Sequence, residues 1–384
     1  MADKVRVGVI GTGGMGSAHT KTLAENQIEE GALVAICDAD PKVCAETAER
    51  YHVPGFTDYR KLLSSRKVDA VVIATPHYYH PIIGMAALKK GIHVLSEKPI
   101  AVTVKVADEF ARVAKESGKL FTVMFQARTT PAVRAAQKLI AEGRVGNIYR
   151  TISLHTGFRT QAYYDSGEWR ATWAGEGGGV LINQAPHALD LFTLLGGVPS
   201  RVTAATRTRI HEMEVEDFAH AILEYPNGAM GYVAASTEEH VGTDRVEICG
   251  DQGKIVLEGK KLRFWSLQQT VSDFARTSDQ VWASPPSVAG EVPLPECVTG
   301  HAAVIRNFCR AIQGTEPLLI NGADGVKSLE LSNAIYMSAW LGKPVDLPLD
   351  RSKVERMFNK KRKESQPKAR VTGIRETDPN YVKP

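Results

Sequence analysis

Short apolar runs alternate with less apolar segments along the first third of the chain. The apolar runs lie at 5–10, 32–38, 69–74, 93–96 and 121–125. Runs of this length, rich in β-branched residues, are typical of strands that are buried on both faces. The segments between them have helical character, and when strands and helices alternate in this way they form a parallel sheet. The pattern therefore predicts an N-terminal α/β domain with a doubly wound parallel sheet.

After about residue 128 the pattern favours β structure. A helix at 131–142 is followed by segments with turn residues between them, and Pro226-Asn227-Gly228 predicts a tight hairpin because Asn-Gly tolerates positive φ. Strands are expected at 218–225, 229–237, 245–249 and 254–258. We therefore predict a C-terminal α+β domain with an open, mostly antiparallel sheet. Three further segments complete the prediction, a long irregular connection at 267–299 and two helices at 301–313 and 323–341.

The length of 384 residues favours two domains, and we place them at 1–127 and 128–350. The remaining 34 residues, 351–384, hold 11 Lys or Arg and 4 Asp or Glu, whereas the body before them is mildly acidic. A basic tail on an acidic body argues against nucleic-acid binding. We interpret 351–384 as a basic C-terminal arm that is solvated or clasps another subunit, with binding to an anionic partner as the alternative.

The cysteines and the apolar runs indicate the compartment. Five cysteines are present, and none stands in a CxxC or zinc-finger spacing, so we expect free thiols and no metal site. No stretch reaches the roughly 18 apolar residues of a membrane span, and the N-terminus has no cleavage-site pattern. These observations predict a cytoplasmic protein without a membrane partner.

A glycine-rich turn joins the first predicted strand to the first helix. Gly11-Thr12-Gly13-Gly14-Met15-Gly16 has the form G-x-G-x-x-G, in which backbone N–H groups and a helix N-terminus attract a pyrophosphate. Asp38 ends the second strand, 22 positions after Gly16, where a carboxylate accepts hydrogen bonds from ribose hydroxyls. Its charge would repel a 2′-phosphate, so NAD is favoured over NADP, although Lys42 leaves NADP open.

Two further motifs carry polar chemistry. Glu97-Lys98-Pro99 follows a buried strand, and the carboxyl ends of such strands face the ligand crevice. In the segment from 177 to 190, Pro186 suits the first position of a helix, which places His187 in its first turn. Asp190 lies three residues further on the same helical face, and we expect it to hold the imidazole of His187.

Together these motifs give a resemblance to a known family. The opening VGVIGTGGMGSAH, the sequence ATP with His80 shortly after it, EKP, GGGVLINQAPHALDLF and PLLINGADGVKSLELSNAIYMSA cover most of the chain. The chain resembles the glucose-fructose oxidoreductase / inositol dehydrogenase / MocA (Gfo/Idh/MocA) family of NAD(P)-dependent oxidoreductases. The resemblance implies an N-terminal Rossmann domain and a C-terminal sheet that commonly pairs subunits, so a homodimer or homotetramer is expected.

The resemblance also implies roles for individual residues. Lys98 corresponds to the catalytic lysine and His187 to the acid/base histidine, while Glu97 and His80 are expected beside the nicotinamide half of the cofactor. Thr75 and Gln126 are added as cofactor-binding candidates. The family often has Asp four residues before the histidine, where this chain has Asn183, which cannot ionise. Proton transfer is therefore expected at His187 or Lys98, and the residues leave open which is the final acceptor.

The substrate is expected to be a sugar, glycoside or cyclitol, because aromatic and hydroxyl-binding side chains cluster before the histidine motif. The substrate candidates are Arg128, His155, Arg159, Tyr163, Tyr164, Arg170, Trp173, Asn183 and His187. The function predicted is an NAD-dependent dehydrogenase that transfers a hydride from a secondary hydroxyl. Two alternatives remain, namely an NAD-using glycosidase or 3-keto glycoside pathway enzyme of the same family, and a non-catalytic dinucleotide sensor.

Overall fold

The computed structural model describes residues 3–25 and 27–373, and its first domain is built on a six-stranded parallel sheet. The strands are β1 (Val5–Ile10), β2 (Gly31–Cys37), β3 (Gly55–Phe56), β4 (Ala70–Ile73), β5 (His93–Ser96) and β6 (Phe121–Val123). The helices are α1 (Gly14–Ala24), α2 (Pro41–Tyr51), α3 (Tyr59–Ser64), α4 (Tyr79–Lys89) and α5 (Val104–Ser117). Every residue of β4 and β6 is buried, as expected of strands covered on both faces. The predicted doubly wound sheet is confirmed.

The strand order of this sheet locates a ligand crevice. The order is β3-β2-β1-β4-β5-β6, so the direction of winding reverses between β1 and β4. Ligands of such sheets bind at the carboxyl ends of the strands beside this reversal. Gly11 follows β1, Asp38 follows β2, Thr75 lies just beyond β4, and Lys98 lies just beyond β5. The topology thus brings four predicted site residues to one edge of the sheet.

The second domain is built on a nine-stranded sheet in the order β14-β13-β12-β11-β7-β10-β9-β8-β15. Its strands are β7 (Ile148–Thr156), β8 (Arg201–Arg207), β9 (Phe218–Glu224), β10 (Met230–Ser236), β11 (Asp244–Gly250), β12 (Gly253–Glu258), β13 (Lys261–Leu267), β14 (Ser287–Glu291) and β15 (Val345–Asp346). Only β7 and β10 pair in parallel, and the other pairs are antiparallel. The predicted hairpin is present as β9 and β10. The open, mostly antiparallel sheet is therefore confirmed.

The helices of the second half are α6 (Pro131–Ala141), α7 (Gln161–Asp165), α8 (Val180–Asn183), α9 (Pro186–Gly196), α10 (Val271–Thr277), α11 (Gly300–Ile312), α12 (Gly325–Leu341) and α13 (Arg351–Glu364). Short 3₁₀ helices lie at Gln126–Thr129 and Gly322–Asp324. Within residues 3–25 and 27–373, no helix combines the length and the apolar character that crossing a bilayer requires.

The segment 267–299 is more regular than its sequence predicts. It contains α10 and the edge strand β14, which pairs with β13. All five residues of β14 are exposed, and α10 has no buried residue. Because neither element buries a face, neither shows the hydrophobic periodicity that would reveal it in the sequence. The expected irregular connection is therefore wrong for these two elements.

Helix α11 packs on the first domain although its sequence lies within 128–350. Its buried residues Ile305, Phe308 and Cys309 belong to the same apolar cluster as β1 and β4. An ion pair between the side chains of Arg310 and Glu30, 2.6 Å apart, joins the helix to the residues before β2. The chain therefore returns to the first domain, and a linear boundary at 127 does not separate the two cores.

The basic arm also differs from its prediction. Helix α13 buries Val354 and Phe358 in the apolar core of the second domain. The guanidinium of Arg362 lies 4.4 Å from the ring centre of Tyr78, a cation–π contact within the same chain. Apolar positions spaced for a helix face thus dock residues 351–364 on their own domain, while several of their basic side chains remain exposed. A clasp on another subunit stays a prediction. The arm's last part, 374–384, lies outside the described residues.

Candidate functional site

The glycine turn after β1 has the geometry that its sequence predicts. Gly11 has φ +84°, and a Cβ there would lie 2.6 Å from the carbonyl oxygen of Ala74. A Cβ on Gly16 would lie 1.7 Å from the carbonyl oxygen of Gly11, so helix α1 packs against the turn too closely for any side chain. By contrast, a Cβ on Gly13 would meet no atom within 4 Å. The open side of Gly13 fits a turn that lets a pyrophosphate approach the backbone.

Asp38 connects the end of β2 to this turn. Its Oδ2 accepts hydrogen bonds from the backbone N–H of Thr12 at 2.8 Å and from the Thr12 hydroxyl at 3.0 Å. Its Oδ1 accepts from the backbone N–H of Asp40 at 3.0 Å. The carboxylate is therefore fixed beside the glycine turn, where it can meet the hydroxyls of an adenosine ribose.

Lys98 lies just beyond β5 and reaches across to the second domain. Its Nζ donates to the backbone oxygen of Asn183 at 2.7 Å and to the Asn183 Oδ1 at 3.3 Å. Burial lowers the pKa of Lys98, while the negative charges of Glu97 and Glu176 oppose that shift. A lysine with a lowered pKa is suited to exchange a proton closer to neutral pH.

His187 lies in the first turn of α9, as the position of Pro186 predicts. The amide nitrogen of Gln126 is 3.3 Å from its Nε2, and the ring of Phe125 packs against it edge-on. Burial, with a smaller contribution from the charge of Lys98, holds the pKa of His187 well below its usual value. The imidazole is therefore neutral near pH 7 and able to accept a proton.

The partner expected for His187 is wrong, and so is the substrate role expected for Arg128. Arg128 donates two hydrogen bonds to Asp190, at 2.6 and 2.7 Å, and one to Asp324 at 3.0 Å. Asp190 is thereby engaged in a buried ion pair and does not hold the imidazole. Both side chains are almost fully buried, because neither charge is stable there without the other. Arg128 therefore stabilises the junction between the domains through these two carboxylates, and its guanidinium does not face a substrate.

His80 and Glu97 are buried near the carboxyl edge of the first sheet and contact other residues of the first domain. The ring nitrogens of His80 lie 2.9 Å from the carbonyl oxygen of Pro99 and 2.7 Å from that of Thr75, so both nitrogens face backbone oxygens of the first domain. Glu97 accepts a hydrogen bond from His19 at 2.7 Å. Burial raises the pKa of Glu97, but the hydrogen bond and the nearby positive charges outweigh it and lower the value to about 2. The place of His80 and Glu97 beside the nicotinamide half of the cofactor stays a prediction.

Tyr163 and Asn183 lie at the centre of the polar cleft. The Tyr163 hydroxyl accepts hydrogen bonds from Arg170 at 2.6 Å, from the Asn183 amide at 3.0 Å and from Gln184 at 3.2 Å. Lys98 meets the same Asn183, so side chains from the end of β5, from α7 and from α8 converge here. The structure thus brings the predicted residues Lys98, Tyr163, Arg170 and Asn183 together.

The remaining substrate candidates divide into two groups. Trp173 packs against Tyr336 and Trp340 in the apolar core, and the Tyr164 hydroxyl is buried 2.6 Å from that of Thr237. Their assignment as substrate contacts is wrong, because both rings serve the packing of the second domain. The Arg159 guanidinium lies nearer the cleft, 5.5 Å from the Tyr163 ring centre. Nδ1 of His155 lies 3.4 Å from Oδ1 of Asp244, and its role as a substrate contact stays a prediction.

Glu176 and His77 also lie at the cleft, although neither was predicted from the sequence. Glu176 is 1% exposed and hydrogen-bonds the Asn183 side chain, while Nδ1 of His77 lies 2.8 Å from the Glu176 backbone oxygen. One sequence signal was available for Glu176, which is the acidic residue directly before Gly177-Gly178-Gly179. His77 carried no such signal, because its partner lies 99 positions away.

The cleft also contains buried polar atoms that no other described residue satisfies. They are the Thr75 hydroxyl, the Gln126 Oε1, the Gln184 Oε1 and the His187 Nδ1. Buried polar atoms are ordinarily hydrogen-bonded, so a cluster of exceptions marks a place for a polar ligand. The carboxyl edge of the first sheet supplies Thr75 and Gln126, which is where a nicotinamide nucleotide would lie. These atoms, Asp38 and the open side of Gly13 together fit a bound dinucleotide.

Comparisons with known proteins agree with this geometry. A family described as "Oxidoreductase family, NAD-binding Rossmann fold" matches residues 5–125, and the "GFO/IDH/MocA C-terminal domain" matches residues 133–256. The levoglucosan dehydrogenase of Pseudarthrobacter phenanthrenivorans is 28% identical over 90% of this chain and 98% of its own length. The inositol 2-dehydrogenase of Rhizobium meliloti is 26% identical over 87% of this chain and 96% of its own length.

A solved structure extends the likeness to three dimensions. Levoglucosan dehydrogenase in complex with NADH and levoglucosan superimposes with a TM-score of 0.74, at 26% identity, over 91% of this chain and all of that one. Both domains, the glycine turn and the motifs EKP and NQAPH thus point to the same group of proteins. With its NAD-binding Rossmann domain and its matching C-terminal domain, the chain belongs to the Gfo/Idh/MocA family of oxidoreductases.

Proposed function

We propose that the protein is an NAD-dependent dehydrogenase that oxidises a secondary hydroxyl of a sugar, glycoside or cyclitol to a ketone. One observation carries the proposal. Nζ of Lys98, from the first domain, lies 2.7 Å from the backbone oxygen of Asn183, four residues before His187 of the second domain, whose Nδ1 is buried in the same cleft. The relatives named as levoglucosan and inositol dehydrogenases support this class of reaction.

The residues that would hold the cofactor lie along the carboxyl edge of the first sheet. Residues 11–15 would meet the pyrophosphate and Asp38 the adenosine ribose, while Thr75 and Gln126 offer buried hydrogen-bonding atoms further along the crevice. Bound there, NAD supplies the hydride acceptor.

The chain's own residues would handle the proton. Oxidation of a secondary alcohol breaks the C–H bond with transfer of a hydride and breaks the O–H bond with transfer of a proton. The neutral imidazole of His187 is suited to accept that proton, and Lys98 is suited to donate a hydrogen bond to the same oxygen as charge develops on it. Which of the two groups finally keeps the proton stays a prediction.

The proposed substrate class follows from the polar character of the cleft. Tyr163, Arg170 and Asn183 offer donors and acceptors on one side, and the Arg170 guanidinium also lies 4.3 Å from the Tyr163 ring centre. Several rigidly held polar groups suit a ligand with several hydroxyls better than an apolar one. We would test a panel of free sugars, glycosides, anhydrosugars and inositols for NAD reduction. If the whole panel gave no reduction while NAD bound, the substrate class would be wrong.

An NAD-using glycosidase is the second candidate, because it needs the same hydride and proton transfers in its first step. It would return the hydride before releasing product, whereas a dehydrogenase accumulates NADH. Following NADH absorbance and product formation together, with a glycoside as substrate, separates the two. Stoichiometric NADH supports the dehydrogenase, and glycoside cleavage without NADH supports the glycosidase.

Replacing Asp38 by serine is expected to raise the KM for NAD by about 10- to 100-fold, since the carboxylate that Thr12 holds beside the glycine turn would make charged hydrogen bonds to the ribose. The KM for NADP should rise less or fall, because the repulsion of a 2′-phosphate is removed. Steady-state kinetics with each cofactor measure this change. Asp40→Ser is the matched control, because serine can still cap α2. An unchanged ratio of NAD to NADP efficiency in Asp38→Ser would contradict the assignment.

We also propose a cytoplasmic homodimer or homotetramer that forms through the nine-stranded sheet. Ile222 and Met230 are each more than half exposed, and the β9–β10 register places both on one face of that sheet. Exposed apolar side chains on a sheet face are typical of an interface. Light scattering after gel filtration measures the mass, and a monomer at micromolar concentration would contradict this proposal.

A further inference from the structure

Asn183 bridges two charged side chains. Its Oδ1 accepts a hydrogen bond from Nζ of Lys98 at 3.3 Å, and its Nδ2 donates one to Oε1 of Glu176 at 2.5 Å. The other acceptor of Lys98 is the backbone oxygen of Asn183, so both acceptors that the lysine meets are neutral atoms. The nearest negative charge along this path is therefore Glu176, which lies one amide group away.

The side chain of Glu176 is surrounded by hydrogen-bond donors and a positive charge. Its carboxylate oxygens accept hydrogen bonds from the backbone N–H of Ala171 and from the Asn183 amide, each at 2.5 Å. The guanidinium of Arg170 lies 3.8 Å from the same Oε1. Burial has the largest effect and leaves the pKa of Glu176 raised above its usual value, while Arg170, these hydrogen bonds and Lys98 reduce that shift. Each of these neighbours offers a hydrogen-bond donor or a positive charge, so a carboxylate is the form that satisfies them.

We propose that Glu176 is a positioning residue of the reaction centre, which acts through Asn183 and, together with the adjacent Glu97, balances the positive charge of Lys98. It also fixes the orientation of the Asn183 amide, because only the NH₂ end can face a carboxylate. The oxygen end is thereby turned toward Lys98, where it holds the ammonium in place. This inference rests on the proposed dehydrogenase function, in which Lys98 contacts the reacting oxygen.

A purely structural role is the alternative to be tested. The hydrogen bond to Ala171 anchors the loop that carries Arg170, and Ala171 itself has φ +57°. A structural role would be kept by glutamine, which offers an oxygen to Ala171 and has the same shape. The charge role would be lost with glutamine and would return if a carboxylate were placed elsewhere on the bridge.

The first experiment measures Lys98 without any substrate. Competitive labelling of lysines with acetic anhydride across a pH series, followed by mass spectrometry, reports the pH midpoint of Lys98 in the purified chain. In Glu176→Gln this midpoint is expected to move to lower pH by about 1 unit, because one of the two nearby negative charges is gone while Glu97 remains. Arg170, Tyr163 and His77 also face Glu176, and all three remain unchanged in this comparison. An unmoved midpoint would overturn the proposal, whether or not the protein is a dehydrogenase.

The second experiment moves the charge. In the double variant Glu176→Gln/Asn183→Asp, the new carboxylate meets Lys98 directly, and the introduced glutamine can donate to that carboxylate while accepting from Ala171. In the double variant, the pH midpoint of Lys98 is expected to return to its value in the unmodified protein. Its kcat is expected to be at least tenfold higher than that of Glu176→Gln. The loss in Glu176→Gln should be about 10- to 100-fold, as is usual for a hydrogen bond to a charged group. If kcat of the double variant instead falls by the product of the fold-decreases of the two single variants, the two substitutions act independently. Glu176 would then not act through its charge.

Two further variants complete the design. Asn183→Asp alone places two carboxylates in contact and is expected to lower kcat, so a gain in turnover would overturn the proposal even if Glu176→Gln failed to fold.

Glu247→Gln is the matched control, since Glu247 is also buried but pairs with Arg150, Arg245 and Lys254 on the second sheet. It should leave the Lys98 midpoint unchanged. If every variant labels as expected but no panel compound reduces NAD, the positioning role stands and the proposed function fails.

Discussion

Replacing Lys98 by alanine is expected to lower kcat by roughly 10²- to 10⁴-fold, the usual range for a positioned proton-transfer group. The side chain crosses from the end of β5 to Asn183, so its removal takes away the donor to the reacting oxygen and the link between the two domains. Stopped-flow measurement of the first turnover would show whether the loss occurs in the chemical step. The affinity for NAD should change much less, because the glycine turn and Asp38 are untouched.

The control for this variant is Lys115→Ala. Lys115 lies in the last turn of α5 and is exposed, so its loss removes the same charge without touching the cleft. Calorimetry of NAD binding to both variants separates a folding defect from a chemical one. Near-normal turnover in Lys98→Ala, with intact NAD binding, would reject the catalytic role of Lys98.

Replacing His187 by asparagine is expected to lower kcat for alcohol oxidation by a similar factor, roughly 10²- to 10⁴-fold. Asparagine retains hydrogen-bonding atoms but cannot accept a proton near neutral pH. Because burial and Lys98 lower the pKa of His187, the imidazole is already neutral at pH 7 in the folded protein. The loss should therefore be present over the whole neutral range.

The pH dependence gives a second, independent measure of the same residue. Protonated His187 cannot accept a proton, so kcat/KM for oxidation should fall on the acid side with an apparent pKa below 6.5. That acid limb should vanish in His187→Asn. His220→Asn is the control, because His220 is only partly buried and contacts Phe218 and Tyr232 on the second sheet. An acid limb that persists in His187→Asn would assign proton acceptance to another group.

The sequence predicted those site residues whose positions depend on the backbone conformation of their immediate neighbours. Gly11 and Gly16 are fixed by steric contacts within the turn, and His187 is placed by Pro186 at the start of α9. The doubly wound sheet follows from apolar strands, because burial on both faces leaves a continuous apolar run. The edge strand β14 could not be predicted, since an exposed strand carries no such pattern.

The sequence did not predict which residues pair with the buried charged side chains. Asp190 looked like the partner of His187 because three residues separate them on one helix, yet it pairs with Arg128, 62 positions earlier. Arg128 also reaches Asp324, 196 positions later. Such pairs form because a buried charge requires an opposite charge, and the chain can bring one from any distance. Spacing along the chain therefore gives little information about them.

For this protein, the sequence by itself determined the two sheet types, the dinucleotide turn, the acid at Asp38 and the presence of Lys98 and His187. Each depends on local backbone sterics or on the periodicity of burial, which neighbouring residues express directly. The tertiary structure alone decided that α11 returns to the first domain, that α13 docks on the second, and that Glu176 stands behind Asn183. These arrangements depend on which distant surfaces and charges satisfy one another when the two domains close around the cleft.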